Sequence, residues 1–256
     1  MCDNAPIDAD SEKRILDAIA EFIAGVGHEL NNPLAVISGI AQSLLHEETD
    51  MDKRRDLSMI VEQTRQAYEM IASIRAFARP PEPEVRAISA REFFDDWIGR
   101  EKSRLEPLNV DVVVEGADCL NDVVLMSDPA MFSAILDAFG KNVFDVVKYE
   151  RLQRSLCESL PEQEKSVDVA IFFAALSERD VRRLTFGVED NGPGMSPEVR
   201  KLAFSPFYSG RHAGRGLGVG LSTAWRYAEI LGARIFCEDA NSFDSGCRWS
   251  VEFPIR

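Results

Sequence analysis

The first third of the chain repeats apolar residues with the spacing of two long amphipathic helices. Between residues 11 and 47 an apolar side chain recurs every three or four positions, at Ile15, Ile19, Phe22, Val26, Leu30, Leu34, Ile37, Ile40 and Leu44. This spacing predicts a helix over about 11–47. The polar stretch EETDMD follows, with Asp52 as the expected cap of a second helix over about 53–79. The prolines of RPPEPE, at 79–84, end that helix.

Two long helices joined by a short turn form a hairpin that leaves one apolar face in water. Two hairpins would bury this face in a four-helix bundle, so we expect a homodimer. The predicted organisation is a disordered N-terminus at 1–10, a dimerisation hairpin at 11–79 and a linker at 80–88. A second domain then fills residues 89–256.

The second domain has the pattern of a mixed α and β fold. Two segments predict helices, 128–156 and LSTAWRYAEILGARI, the first with Asp128 and Pro129 at its start. Strands are predicted for the runs NVDVVVEG, DVVLM, SVDVAIFFAALS, VRRLTFGVEDNG, RIFCED and CRWSVEFPI. The expected fold class is therefore α+β: a helical hairpin forming a dimeric four-helix bundle, followed by an α/β sandwich.

Composition argues against several classes of function. The 256 residues carry a formal net charge of −14, which disfavours non-specific binding to nucleic acid. No apolar run reaches the roughly 18 residues that a membrane span needs, and the acidic N-terminus lacks a secretory core. Five cysteines without a CxxC pair, beside three histidines, favour reduced thiols in the cytoplasm over disulfides or a zinc site.

The stretch VEDNGPGM, at 188–195, ends a predicted strand in a turn suited to a ligand. Asp190 comes where the strand stops, and its carboxylate could accept a hydrogen bond from an amine such as N6 of adenine. Gly192 and Gly194 allow a tight turn with the backbone close to the ligand. An ordinary Asn-Gly turn would explain the same residues, so both interpretations stand at this point.

A second glycine-rich stretch, GRGLGVGLSTAW at 214–225, precedes a predicted helix. Such a loop lets the main chain wrap phosphates, and the helix N-terminus adds free N–H groups. No GKS or GKT follows, which excludes a P-loop, and a loop rather than a strand precedes it, which excludes a dinucleotide-binding fold. The intervening FSPFYSGRHAGRG, with Arg211 and Arg215, suits a mobile lid over phosphates, or else a disordered surface loop.

Five stretches, taken in order, resemble the H, N, G1, F and G2 boxes of bacterial sensor histidine kinases: GHELNNPL, LDAFGKN, DNGPGM, FSPFYS and GLGVGLS. The resemblance covers about residues 11–256, and HELNNPL is most similar to the nitrogen- and oxygen-regulation branch. It implies a dimerisation and phosphoacceptor hairpin followed by an ATP-binding catalytic domain of the Bergerat type.

The resemblance assigns the chemistry of the H box to three residues. His28 would attack the γ-phosphate of ATP, with Glu29 as hydrogen-bond acceptor or base. The phosphoryl group would pass to an aspartate on the receiver domain of a response regulator, and Asn32 would place the water that dephosphorylates that partner. A lone histidine usually has no role, but its position in HExxN before Pro33 reverses that expectation, and Pro33 should bend the helix.

In the catalytic domain the resemblance implies ATP and Mg²⁺ as ligands. Asn142 would hold Mg²⁺ and Asp190 would select adenine, while Phe204 and Phe207 would pack the lid, although Phe207 could equally be a plain core residue. The complete set of implied nucleotide-binding residues is Asn142, Asp190, Gly192, Gly194, Phe207, Arg211, Arg215, Gly216, Gly218, Gly220 and Leu221.

The N box departs from the family pattern. Ala138 stands where a polar residue is usual, and Asp145 stands where a basic residue is usual, so Asp145 could bind a second metal or repel phosphate. A dimeric pseudokinase or phosphotransfer scaffold is therefore the alternative to an active kinase. HELNNP argues against a chaperone- or topoisomerase-like ATPase. Few residues precede the H box, so we expect either part of a longer kinase or a soluble kinase that receives its signal from a partner.

Overall fold

The computed structural model describes residues 9–108, 110–156, 168–178, 181–208 and 218–255. The chain divides into two compact units: the first runs to Pro81 and also takes in Gly218 and Val219, and the second comprises the other described residues from Glu82 onward. The first unit is helical, and the second contains the strands. Residues 1–8, most of the N-terminus predicted to be disordered, lie outside the described part.

The helical unit is a hairpin of two long helices, as the apolar spacing predicts. Helix α1 spans Ala9–Glu47 and helix α2 spans Met51–Ala78. The expected cap is wrong by two residues: Asp50 caps α2, and its carboxylate accepts hydrogen bonds from the N–H groups of Asp52 and Lys53. Asp52 already lies inside the first helical turn. Neither these helices nor any other helix in the described ranges is long and apolar enough to cross a membrane.

The second unit contains a five-stranded mixed sheet and a separate two-stranded sheet. In the larger sheet the strand order is β2-β4-β5-β7-β6, with β2 parallel to β4 and the other neighbours antiparallel. Strands β1 and β3 pair antiparallel in the smaller sheet. The strands are β1 Arg86–Ser89, β2 Val112–Glu115, β3 Val124–Ser127, β4 Val169–Glu178, β5 Val181–Asp190, β6 Arg234–Asp239 and β7 Cys247–Ile255.

The helices of this unit are α3 Ala90–Leu105, α4 Pro129–Leu156, α5 Pro197–Leu202 and α6 Gly220–Ile230. Side chains of α3, α4 and α6 are buried in the core, whereas α5 has no buried residue. Phe186 on β5 stacks on Phe94 and meets Trp97 edge-on, with ring centroids 4.9 and 5.1 Å apart. Because alternate strand residues face opposite sides, Asp190, four residues later, lies on the same helix-covered side. The α+β fold class is confirmed.

Besides two short 3₁₀ helices at Glu106–Leu108 and Ala117–Leu120, the described part of the chain contains one strand and two α-helices that the sequence pattern does not predict. Strand β1 lies at the end of the stretch expected to be a linker. Helix α3 follows it directly, and the hydroxyl of Ser89 accepts a hydrogen bond from the N–H of Glu92 at its start. Helix α5 begins after Ser196, whose hydroxyl accepts from the N–H of Val199. The predicted strands and the two long helices of this unit are all present.

Candidate active site

The middle of α1 has one packed side and one open side. Gly27 is buried, and a Cβ atom on it would lie 3.1 Å from Cγ2 of Ile71 on α2. His28, Glu29 and Asn32 are exposed. Asn32 follows His28 by four residues, so the two side chains share a helix face. The close packing at Gly27 holds this part of α1 against α2, while the imidazole of His28 stays accessible to a reaction partner.

Pro33 lies inside α1 without ending it. Proline has no N–H group, so the carbonyl of Glu29, four residues earlier, loses its usual helical hydrogen bond. Beside this break α2 supplies a different bond, because the hydroxyl of Tyr68 donates to the carbonyl oxygen of Asn31 over 3.0 Å. Helix α2 therefore stabilises α1 at the point where Pro33 removes a helical hydrogen bond. The bend expected at Pro33 stays a prediction.

In the second unit, α4 carries the predicted Mg²⁺ ligand on its half-buried side. Ala138, Asn142 and Asp145 are all half-buried, as their helical spacing predicts. In the part of the chain that the structure describes, no three His, Cys, Asp or Glu side chains form a cluster that could hold a metal ion. A metal at Asn142 would therefore need most of its ligands from a bound phosphate or from water.

The turn after β5 is built closely around Asp190. This residue is 1% exposed, and its Oδ1 accepts a hydrogen bond from the N–H of Gly192 over 2.9 Å. A Cβ atom on Gly192 would lie 2.6 Å from Cγ1 of Val146 on α4 and 2.7 Å from Oδ1 of Asp190. Any side chain at this position would require Val146 or the Asp190 carboxylate to shift. The N-box helix and the G1 turn, predicted to share a site, are therefore in direct contact.

Two thiols lie near the Asp190 carboxylate. Burial raises the pKa of Cys237 and that of Cys247 to about 12, and the negative charge of Asp190 adds to both shifts. Both thiols stay protonated at neutral pH. The two thiols therefore add no charge beside the Asp190 carboxylate.

The two phenylalanines of the F box differ in their surroundings. Phe204 is half-buried and packs edge-on against Trp249 of β7, with ring centroids 6.0 Å apart. Phe207 is 55% exposed and has a φ of +64°, which is rare for a bulky residue. Phe204 therefore anchors the start of the predicted lid, and Phe207 points away from the core.

The predicted phosphate loop is described only at its end. Gly218 has a φ of +66°, a conformation that favours glycine. Gly220 begins α6 with open space where a Cβ atom would be, and Leu221 is half-buried. Three further residues predicted to bind the nucleotide lie outside the described residues: Arg211, Arg215 and Gly216.

A buried ion pair beside Asp190 is a feature that the sequence pattern does not reveal. Glu189 is 0% exposed, and its Oε1 accepts a hydrogen bond from Arg248 over 2.7 Å. The Arg248 guanidinium lies over the ring of Phe172, 3.7 Å from its centroid. A charged residue in a strand is normally expected to face water, so the sequence pattern does not predict that Glu189 is buried. The only sequence signal for a role of Glu189 is its position directly before Asp190.

Two family models match this chain, one for each unit. Residues 18–83 match the His Kinase A (phospho-acceptor) domain, and residues 147–256 match the histidine kinase-, DNA gyrase B- and HSP90-like ATPase. The second match begins after the irregular N box. It indicates that the second unit, called the catalytic unit below, binds a nucleotide.

Curated relatives and solved structures agree with both matches. The chain is 26% identical to the C4-dicarboxylate transport sensor protein DctB of Pseudomonas aeruginosa, over 90% of this chain and 35% of the relative. It is 27% identical to the sensor protein ChvG of Agrobacterium fabrum, over 93% of this chain and 39% of the relative. The chain thus spans less than half the length of these curated relatives.

The fold is similar to that of solved histidine kinases. Full-length ShkA in complex with AMPPNP has a TM-score of 0.70 and 18% identity, covering 92% of this chain and 46% of that one. ThkA in complex with the response regulator protein TrrA has a TM-score of 0.57 and 16% identity, covering 95% and 64%.

A phospho-acceptor hairpin joined to an ATPase domain defines the class as a histidine kinase. The chain belongs to the bacterial sensor histidine kinases of two-component systems.

Proposed function

We propose that this chain is an ATP-dependent protein histidine kinase that phosphorylates His28 and passes the phosphoryl group to a response-regulator aspartate. The observation that carries the proposal is an accessible imidazole on α1, in the same chain as a buried carboxylate, Asp190, in a closely packed glycine turn. The first group suits a nucleophile, and the second suits a nucleotide base.

The proposed reaction transfers one phosphoryl group. The neutral imidazole of His28 attacks the γ-phosphorus of ATP, the bond to the β–γ bridging oxygen breaks, and ADP leaves. Glu29 accepts a hydrogen bond from the other ring nitrogen or takes its proton, which keeps the attacking nitrogen nucleophilic. Asp190 holds adenine through its N6 amine and thereby places the phosphates. Phosphohistidine then gives its phosphoryl group to the receiver carboxylate, and the imidazole is restored.

Mg²⁺ fits this site through the amide oxygen of Asn142, since oxygen donors and phosphates are the ligands that the ion prefers. When bound, it would supply positive charge against the phosphate oxygens. The protein's own contribution is to hold Asn142 on α4, where Val146 already contacts the G1 turn at Gly192. Gly218 and Gly220, together with residues outside the described part, would let the backbone approach the phosphates.

We propose that the active form is a homodimer. Large apolar side chains are exposed along the isolated hairpin, and burying them against a second copy would stabilise the pair at about 25 cal/mol per Å² of apolar surface. Light scattering of the purified chain tests this proposal, and a monomeric mass would contradict it. The exposed residues include Phe22, Leu30, Val36, Ile37, Ile40, Leu44, Met51, Met59, Ile60 and Met70.

The receiver-domain partner and the phosphatase role of Asn32 are also proposals. The solved complex of ThkA with a response regulator protein supports a partner of this kind. The exposure of Asn32 on the face of His28 supports access of a receiver to both residues. The cytoplasmic location stays a proposal as well, and the free thiols of Cys119, Cys237 and Cys247 are compatible with a reducing compartment.

Labelled ATP tests the kinase proposal directly. We expect acid-labile, base-stable label on the wild-type chain and none on His28→Gln. His46→Gln is the matched control, because His46 is an exposed histidine on the same helix, and we expect it to keep full label. ATP binding without label in the wild type would instead favour the phosphotransfer scaffold. Equal label in His28→Gln and the wild type would refute the assignment of the nucleophile.

A further inference from the structure

Glu189 directly precedes Asp190 and lies on the opposite face of β5. It is fully buried, and a buried carboxylate is costly unless it is paired and hydrogen-bonded. Besides Arg248, it has two backbone donors, because its Oε2 accepts from the N–H groups of Asn241 and Ser242 over 3.1 and 2.8 Å. The proposed phosphoryl transfer makes no use of this carboxylate. Its contacts point instead to the segment that joins β6 to β7.

That segment, residues 240–246, is called the β6–β7 turn below. The N–H of Ala240 donates to the carbonyl of Gly246 over 3.2 Å and closes the turn. Glu189 therefore binds the first half of a closed loop. Because the loop is closed, fixing its first half also restricts where its second half can lie.

The second half of the turn lies against the backbone of Asp190. Gly246 has a φ of +126°, and a Cβ atom on it would lie 1.7 Å from the carbonyl oxygen of Asp190. Gly194, on the far side of the G1 turn, also approaches it, because a Cβ atom there would lie 3.5 Å from the carbonyl oxygen of Gly246. The β6–β7 turn thus contacts the G1 turn on both sides of its bend.

Asn191, the other neighbour of Asp190, is held by a different strand end. Its Oδ1 accepts from the N–H of Asp168 over 3.0 Å, and its Nδ2 donates to the Asp168 carboxylate over 3.2 Å. The backbone N–H of Asn191 also donates to the carbonyl of Asp168 over 3.3 Å. Asp190 therefore sits between two residues whose side chains are each fixed by several hydrogen bonds, which leaves its own backbone little freedom.

We propose that the β6–β7 turn, held by Glu189, sets the nucleobase selectivity of the site by fixing the Asp190 carboxylate. Glu189 and Gly246 are then positioning residues. The inference rests on the proposed function and deepens it. Adenine presents an amine at position 6 and guanine presents a carbonyl there, so a fixed carboxylate attracts the first and repels the second. A carboxylate free to move would turn aside, and the discrimination would fall.

Two glycines of the catalytic unit provide a matched test. Gly246→Ala puts a methyl group against Asp190, whereas Gly232→Ala introduces a positive-φ alanine, at +68°, into open space. Calorimetric titration with ADP and with GDP gives the ratio of the two affinities. We expect Gly246→Ala to lower the ADP-to-GDP ratio by about tenfold or more, since a charge-assisted hydrogen bond is displaced. Gly232→Ala should leave the ratio unchanged, although both variants should unfold at a lower temperature.

Variants of Glu189 separate its anchoring of the turn from its charge. In Glu189→Gln the amide oxygen can still accept from Asn241 and Ser242, while the NH₂ group loses the hydrogen bond from Arg248. Since the bonds to the turn remain, we expect the ADP-to-GDP affinity ratio to stay close to that of the wild type. Glu189→Leu removes both bonds and should lower the ratio as Gly246→Ala does. If Glu189→Leu does not fold, the comparison of Gly246→Ala with Gly232→Ala still tests the inference.

The outcomes distinguish the inference from the proposed function. A folded Gly246→Ala variant that keeps the wild-type ratio would refute the positioning role and leave the kinase proposal intact. A wild-type chain that binds ADP and GDP equally would refute the role of Asp190 and the inference together. A wild-type chain that binds neither nucleotide would overturn the proposed function itself.

Discussion

His28 and Asp190 occupy opposite kinds of surroundings in this chain. His28 lies on the exposed face of α1, with Glu29 and Asn32 exposed beside it. Asp190 is 1% exposed, accepts a hydrogen bond from Gly192 and follows Glu189, which is wholly buried. The backbone near His28 includes a proline that removes a helical hydrogen bond. The two residues that flank Asp190 are held by hydrogen bonds, Asn191 from Asp168 before β4 and Glu189 from the β6–β7 turn.

This difference follows from what each group must do. A nucleophile that first meets ATP and then a receiver domain has to be open to two partners in turn, so it cannot be enclosed. A carboxylate that recognises one base acts by staying still, because a preorganised acceptor spends no free energy on reorientation when the ligand arrives. Substitutions at the two places should therefore fail in different ways.

The largest expected effect is at the fixed carboxylate. Asp190→Asn keeps the oxygen that accepts from Gly192 but places an NH₂ group where adenine offers its own amine, so we expect ADP to bind about 100-fold more weakly. Calorimetric titration measures the loss. Asp95→Asn is the control, because Asp95 is an exposed carboxylate on α3. We expect this variant to bind ADP with the wild-type affinity. An Asp190→Asn variant with full affinity would show that another group recognises the base.

Gly192→Ala should weaken ADP binding by about tenfold, since the new methyl group overlaps Val146 and pushes α4 away from the G1 turn. Val146→Ala removes the Cγ1 atom that the methyl group meets. The double variant should therefore recover part of the affinity in the same titration. If Val146→Ala gives no recovery, contact between the N-box helix and the G1 turn does not limit binding.

The sequence predicts the two-domain α+β fold because both long helices and the core strands have strong local periodicity. Helix α3 escapes prediction because its apolar stripe of Phe94, Trp97 and Leu105 is interrupted by Glu101, a residue that is itself buried. Strand β1 is only four residues long, and its pairing with β3, rather than its own pattern, makes it a strand. Both depend on partners distant in sequence.

The residues of the candidate site likewise divide into those that local sequence reveals and those that depend on distant contacts. His28 and Asp190 stand in short motifs whose residue types state their chemistry. Glu189 and Gly246 do not, because their importance comes from contacts between β5 and a turn more than fifty residues away. A single sequence gives no information on such long-range contacts, and a strand glutamate is normally solvent-exposed.

On the open side, Asn32→Ala should change activity without changing stability. The side chain is exposed, so we expect the unfolding temperature and the autophosphorylation rate to stay near wild-type values. Dephosphorylation of a receiver domain, first shown to accept phosphate from His28, should slow several-fold. Gln42→Ala, at another exposed amide on α1, should leave both rates unchanged. A slower autophosphorylation in Asn32→Ala would indicate that this residue serves the kinase step instead.

The smallest effect is expected at an exposed ion pair on α2. Hydrogen bonds from Arg65 and then Gln66 lower the pKa of Glu62 from 4.5 to about 2. A lowered carboxyl pKa stabilises the fold above the ordinary value of 4.5, and this contribution is lost as the pH falls through about 2. Because Glu62 and Arg65 are largely in solvent, water and salt screen the pair. Glu62→Gln should therefore unfold at nearly the same temperature as the wild type at pH 7. At pH 2 the difference between the two unfolding temperatures should be smaller still. A clear loss of thermal stability at pH 7, in contrast, would mean that the exposed helical face is as constrained as the turn around Asp190.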